Sequence, residues 1–84
     1  MTIQRFLRIS QLREALGQGP TAIYQGIEDD LLPPPIKRGR SSVWPEGEIA
    51  EVQRHIIAGA TDDKLRELVK QLVKARSMPN QSAA

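Results

Sequence analysis

Cysteine is absent from this 84-residue sequence, and histidine occurs only once, as His55. Without cysteine the chain can form neither a disulfide nor a thiolate metal site, so a disulfide-bonded secreted scaffold is excluded. His55 has no second histidine or cysteine with which to share a metal ion. We interpret it as a surface or boundary residue of a helix, and we expect no metal and no cofactor.

Long apolar runs are also missing. The longest extend over only a few residues, whereas a transmembrane helix needs about 20. No apolar segment follows Met1-Thr2-Ile3, as one would in a secretory signal peptide. We therefore expect a soluble intracellular protein without a membrane partner.

Features typical of enzymes are lacking too. No glycine-rich loop of the Walker type occurs. The adjacent acids Asp29-Asp30 and Asp62-Asp63 stand at expected helix ends, where they suit capping and the helix dipole better than acid–base chemistry. A chain of this length buries only about 60–70% of its unfolded surface, which leaves little room for an enclosed active site. We expect one domain that is not an enzyme.

What the sequence does contain is an uneven charge distribution. Residues 1–44 carry six cations against four acids, residues 45–60 one against three, and residues 61–84 five against three. This alternation of basic, acidic and basic segments is compatible with one face that meets a polyanion. A solvated surface gives similar counts, so charge alone does not choose between them.

Two short helices separated by a glycine-containing turn are predicted near the N-terminus. Ser10 is expected to cap a helix over residues 11–16. Pro20 suits the first position of a second helix over about residues 20–28, whose Ile23 faces inward. The pair is either a helix-turn-helix or an ordinary αα-hairpin in a small bundle.

A run of three prolines at 33–35 ends the second helix and holds the backbone extended. Residues 36–44 then predict a tight β-hairpin whose turn lies near residues 38–40. Because a two-stranded hairpin is unstable alone, Ile36, Val43 and Trp44 are expected to anchor it to the helices. Trp44 is accordingly interpreted as a core residue.

Two further helices complete the prediction. A third is expected from Pro45 to Gly59, and a fourth follows an N-cap at Thr61. The fourth helix carries an apolar stripe at helical spacing, formed by Leu65, Leu68, Val69, Leu72 and Val73. This stripe either packs on the domain or serves self-association.

The elements together predict a mainly α fold with a small β-hairpin, that is, a winged helix-turn-helix. We expect this DNA-binding domain over residues 1–60 and the C-terminal amphipathic helix over residues 61–76. Residues 77–84 are expected to form a disordered tail.

Four segments, in chain order, carry a resemblance to a known family: LRISQLREALG, TAIYQGI, PPPIKRG and SVWPEGEI. Over residues 7–57 the chain resembles the AlpA-like regulators of phages and prophages, which are relatives of excisionases and of the DNA-binding domain of MerR-type regulators. The resemblance implies that the second helix enters the major groove and that the hairpin, as a wing, meets the backbone or an adjacent minor groove. This chain departs from the family's usual pattern at residues 19–21, which start the second helix, and at residues 30–32, which precede the prolines.

Candidate DNA-binding residues at the hairpin share an ability to contact phosphates. They are Lys37, Arg38, Gly39, Arg40, Ser41 and Ser42. Three cations and two hydroxyls can bind phosphate oxygens there, and the glycine lets the tip approach closely. The prolines are expected to fix the direction of this tip relative to the second helix.

Other candidates lie on the two N-terminal helices. Thr21 and Gln25 can contact bases, since glutamine paired with adenine is a favoured geometry. Tyr24 either donates to a phosphate or packs on the hairpin. Arg8 and Arg13 are either backbone contacts or solvated surface.

The expected partner is double-stranded DNA, with self-association or cooperative binding on it, and with an integrase if the protein is an excisionase. Activation, repression and recombination directionality share one fold and one type of contact, so the sequence leaves them open. A cytoplasmic, nucleoid-associated location follows from DNA binding. The alternative is a small protein-interaction module that uses the fourth helix and binds no DNA.

Overall fold

The computed structural model describes residues 3–77. Its elements in chain order are β1 (Phe6–Leu7), α1 (Ile9–Leu16), α2 (Pro20–Glu28), β2 (Ile36–Arg38), β3 (Ser41–Pro45), α3 (Glu46–Ile57) and α4 (Asp62–Arg76). This part of the chain is mainly helical with a small antiparallel sheet, as predicted. The predicted tail falls almost wholly on residues 78–84, which lie outside the described residues.

The sheet has the strand order β1-β3-β2. β2 and β3 form the predicted hairpin, in which Ile36 pairs with Val43 and Arg38 with Ser41. β1 is an addition to the prediction, and its Leu7 pairs with residue 44 of β3. A two-residue strand is too short to show an alternating pattern, so periodicity could not reveal it.

Helix α1 begins earlier than predicted. Its N-cap is Arg8 rather than Ser10, and the backbone N–H of Arg8 donates to Oε1 of Gln11 at 2.9 Å. The side chain that satisfies this helix end therefore comes from the first turn, and Ser10 lies inside the helix. The predicted end of α1 at Gly17, which has a left-handed φ of 65°, is confirmed. The predicted start of α2 at Pro20 is confirmed as well.

The core lies around the central strand β3. Trp44 is fully buried, as predicted, and its indole Nε1 donates to the carbonyl oxygen of Pro33 at 3.0 Å. Leu12 from α1, Ile23 from α2 and Val52 from α3 are fully buried in the same cluster. Burying one such aliphatic side chain contributes about 1.5–3 kcal/mol. This cluster therefore joins three helices and the hairpin.

Helix α4 packs against this body. Leu65 and Val69 are buried, and Leu68 and Leu72 are partly buried against the core. Val73 remains 37% exposed. Packing on the domain thus accounts for four of the five stripe residues, whereas self-association stays a prediction. Over residues 3–77 no helix combines the length and the apolar content that a bilayer span requires.

A connector, residues 29–35, joins α2 to the hairpin. Asp30 has a φ of 62°, and the N–H groups of Leu31 and Asp30 donate to the carbonyl oxygens of Gly26 and Ile27 at 2.8 and 3.1 Å. This is a Schellman motif with aspartate where glycine is usual. The chain then continues through the three prolines, of which Pro33 is fully buried.

Candidate nucleic-acid interface

The tip of the hairpin is a two-residue loop, Gly39-Arg40, between β2 and β3. Gly39 has a φ of 61°, and a Cβ added there would meet no atom within 4 Å. Glycine is therefore required by backbone conformation rather than by space. A positive φ at Gly39 but not at Arg40 is the pattern of a type II′ turn. Arg38 and Arg40 are exposed at this end of the hairpin.

The two faces of the hairpin carry different polar pairs. Lys37 lies opposite Ser42, and its Nζ donates to the serine Oγ at 2.8 Å. Arg38 lies opposite Ser41 on the other face, because neighbouring residues of a strand point to opposite sides. The hairpin thus presents positive charge on both faces, and one of its two serine hydroxyls already has a cationic donor.

Arg8 joins the hairpin at one surface depression. Its lining residues are Phe6, Arg8, Arg38, Gly39, Ser41 and Val43. β1 is responsible for this arrangement, since it pairs with the end of β3 and ends one residue before Arg8. The sequence named Arg8 as a candidate, but only the unpredicted strand brings it beside the hairpin.

A second depression lies on α2. Its lining residues are Pro20, Thr21, Tyr24, Gln25, Ile27 and Glu28. Tyr24 is 51% exposed, and the residues that share its depression all belong to α2 rather than to the hairpin. Nε2 of Gln25 lies 3.3 Å from both carboxylate oxygens of Asp29, so the amide is oriented along the helix by an acid one turn away.

Arg13 stands apart from both groups. It is exposed on α1 and lines neither depression. The structure therefore brings Arg8 together with three of the hairpin candidates, Arg38, Gly39 and Ser41, and groups the three α2 candidates with one another.

The arginines divide into two sets by their ionic partners. Four of them form ion pairs: Arg5 with Glu46, Arg54 with Glu51, Arg66 with Asp63 and Arg76 with Glu48. The guanidinium of Arg54 donates to the carboxylate of Glu51, and this hydrogen bond lowers the pKa of that carboxyl group. Positive charge on these four side chains is compensated within the chain.

The other four arginines have no acidic partner within residues 3–77. They are Arg8, Arg13, Arg38 and Arg40, which are the four arginines among the candidate DNA-binding residues. Residues 31–45, which contain the hairpin, include no acid at all. Uncompensated arginine charge is thereby confined to α1, its N-cap and the hairpin.

In the described part of the chain, no three histidine, aspartate or glutamate side chains come together as a metal site would need. Comparison with protein-family models, curated proteins and solved structures finds no match for this chain. The resemblance to AlpA-like regulators therefore stays a prediction that rests on its four sequence segments. The candidate interface rests on geometry and charge.

Proposed function

We propose that this chain is a sequence-specific double-stranded DNA-binding protein of the AlpA-like kind, with a winged helix-turn-helix. In this proposal α1, the turn at residues 17–19 and α2 form the helix-turn-helix, and the β2–β3 hairpin is the wing. α2 enters the major groove as the recognition helix. The wing and Arg8 contact the sugar-phosphate backbone.

The proposal rests on the difference between arginines that pair with an acid and arginines that do not. An arginine that already pairs with a carboxylate must exchange that partner for a phosphate, whereas an unpaired one needs only to release its water and counterions. Arg8 and Arg38 border one depression at the hairpin and are both unpaired. A phosphate seated there would receive two charge-assisted hydrogen-bond donors.

Base reading is assigned to α2. Thr21 and Gln25 are exposed on one depression of this helix. The two hydrogen bonds from Gln25 to Asp29 use only the amide nitrogen, so Oε1 remains available to accept from an adenine amino group. An exposed glutamine–aspartate pair four residues apart on a helix contributes only about 0.2–0.5 kcal/mol, so it can also give way to a better partner.

The biological role proposed is that of a transcriptional regulator, an excisionase or both, in a phage or mobile element. An excisionase would act beside an integrase and occupy repeated sites in a recombination region. A regulator would protect a single promoter site. Footprinting on DNA from the element that encodes the protein distinguishes the two roles.

The experiment that tests DNA binding is selection from a pool of randomised duplexes, followed by affinity measurement on a selected and a scrambled duplex. We expect one sequence family to be enriched and to bind more tightly than the scrambled duplex. We also expect both affinities to fall as salt rises from about 50 to 200 mM. A protein that retains no duplex at the lower salt concentration is not a DNA-binding protein, and the protein-interaction alternative then takes its place.

A further inference from the structure

Helix α4 contacts both ends of the connector, residues 29–35. Near its start, Nε of Arg66 donates to the carbonyl oxygen of Asp29, the C-cap of α2, at 3.0 Å. At its end, Nη2 of Arg76 donates to the carbonyl oxygen of Pro34 at 2.9 Å. A rise of 1.5 Å per residue places the two arginines about 15 Å apart along the helix, so one rigid element holds two separate points of the connector.

The guanidinium of Arg76 is itself held in place. Its Nε donates to Oε2 of Glu48 at 2.8 Å, and its Nη2 donates to Oε1 of Glu48 at 2.6 Å. The two side chains are only 21% and 11% exposed. A two-bond pair of this kind fixes the plane of the guanidinium, so the donor that reaches Pro34 has a set direction. The first turn of α3, the end of α4 and the connector meet at this point.

The connector depends on such outside contacts. Prolines have no N–H, so residues 33–35 of the connector cannot donate backbone hydrogen bonds. Its carbonyl groups are instead bound by side chains: that of Pro33 by the buried Trp44 and that of Pro34 by Arg76. Between the two arginines, Val69 of α4 borders a depression together with Pro34.

We propose that α4 is a brace that fixes the angle between α2 and the hairpin, with Arg66 and Arg76 as its positioning residues. The contacts of Arg66 and Arg76 with the connector are made without any ligand. The effect of this angle on DNA binding rests on the proposed function. Recognition helix and wing must reach one duplex together, so a change in their angle weakens binding even though no DNA contact is removed.

The brace is tested directly by the distance between α2 and the hairpin. Because the chain has no cysteine, the exposed positions Ala22 and Arg40 can be changed to cysteine and spin-labelled without background. Pulsed electron resonance then reports the distribution of label distances. We expect the combined change Arg66→Ala and Arg76→Ala to broaden this distribution or shift it.

A matched control is available on the same helix. Lys64→Ala with Lys74→Ala also removes two positive charges from α4, and among residues 3–77 neither side chain donates a hydrogen bond or lines the depression beside Pro34. This control should keep the parent distribution. If the combined arginine variant loses its helical circular dichroism, the distance measurement is repeated on Arg66→Ala alone. This variant should stay folded, because the ion pair of Arg66 with Asp63 is exposed on the surface. An unchanged distribution in the folded arginine variant overturns the brace.

Binding to the selected duplex gives the second readout. Variants that disturb coupling between elements typically change it by amounts equivalent to about 2- to 30-fold in affinity, and we expect a loss in this range. The salt slope should stay at the parent value, since no phosphate contact disappears. An equal loss in the lysine control, or a slope reduced by about two, shows that these cations act on DNA directly and overturns the inference. If the parent protein binds no duplex, the proposed function fails and the label distances still decide the brace.

Discussion

The β2–β3 hairpin and helix α4 both carry several cations, but the surroundings of those cations differ. In the hairpin, Arg38 and Arg40 are exposed and have no acidic partner within residues 3–77. On α4, Arg66 and Arg76 pair with acids and also donate to main-chain carbonyl groups. Arginine thus has no carboxylate partner among the described residues in one region, whereas in the other it binds carboxylate and main-chain oxygens of its own chain.

Removing the hairpin cations is expected to give the largest effect. With Lys37, Arg38 and Arg40 all changed to Ala, the slope of log affinity against log salt should become shallower by about 2.7, since each lost phosphate contact contributes about 0.9. Titration of binding to the selected duplex over several salt concentrations measures it. An unchanged slope would remove the hairpin from the interface.

Removing Arg76 tests the difference between the two regions through the free energy of unfolding. Arg76→Ala deprives the partly buried Glu48 of its partner, and we expect a loss of about 1.5–3 kcal/mol in the free energy of unfolding, the range for hydrogen bonds to charged groups. Arg5→Ala is the matched control, because its pair with Glu46 is exposed and contributes about 0–1 kcal/mol. Urea denaturation compares the two variants. Equal losses would show that the pair of Arg76 with Glu48 stabilises the fold no more than the exposed pair of Arg5 with Glu46.

Base reading and phosphate binding can be separated on α2. Gln25→Ala should weaken binding to the selected duplex by about 1–3 kcal/mol, the range for one base contact. On the scrambled duplex it should have little effect, because the side chain carries no charge. Fluorescence anisotropy on the two duplexes measures the difference, and equal losses would show that Gln25 does not read bases.

The hairpin turn gives the smallest expected effect. Gly39→Ala forces a Cβ into a left-handed conformation, which costs about 1–2 kcal/mol. Arg40→Ala is the control, since Arg40 is the other loop residue and has no positive φ. Thermal denaturation should show a lower midpoint for the first variant only. A midpoint that is unchanged in both would mean that the loop is not held in this turn.

Local signals in the sequence were sufficient for most elements. Proline at the start of α2, glycine at the end of α1 and the capping hydroxyl of Thr61, which accepts from the N–H of Lys64 at 3.3 Å, each act within a few residues of their own position. The hairpin followed from its turn residues and from the prolines before it. Such features depend on short-range backbone chemistry, which a single sequence displays.

Long-range contacts could not be predicted, because a single sequence displays only short-range backbone chemistry. Arg66 and Arg76 bind carbonyl groups 37 and 42 residues away. Every residue has a main-chain carbonyl group, so the sequence does not indicate which one an arginine binds. Arg8 reaches the hairpin through β1, a strand of two residues. The sequence therefore supplied the candidate residues, but it did not predict how Arg8 and the connector are held beside the hairpin or that Arg13 lies apart from it.

The most direct test of the account compares unpaired with paired arginines at equal charge. Arg8→Ala with Arg38→Ala removes two unpaired cations that share one depression, whereas Arg5→Ala with Arg54→Ala removes two paired ones. Both variants lower the net charge of the chain by two. We predict that the salt slope on the selected duplex becomes shallower by about 1.8 in the first variant and stays at the parent value in the second. Equal changes in the two slopes would contradict the claim that ionic pairing within the fold separates DNA-binding arginines from the rest.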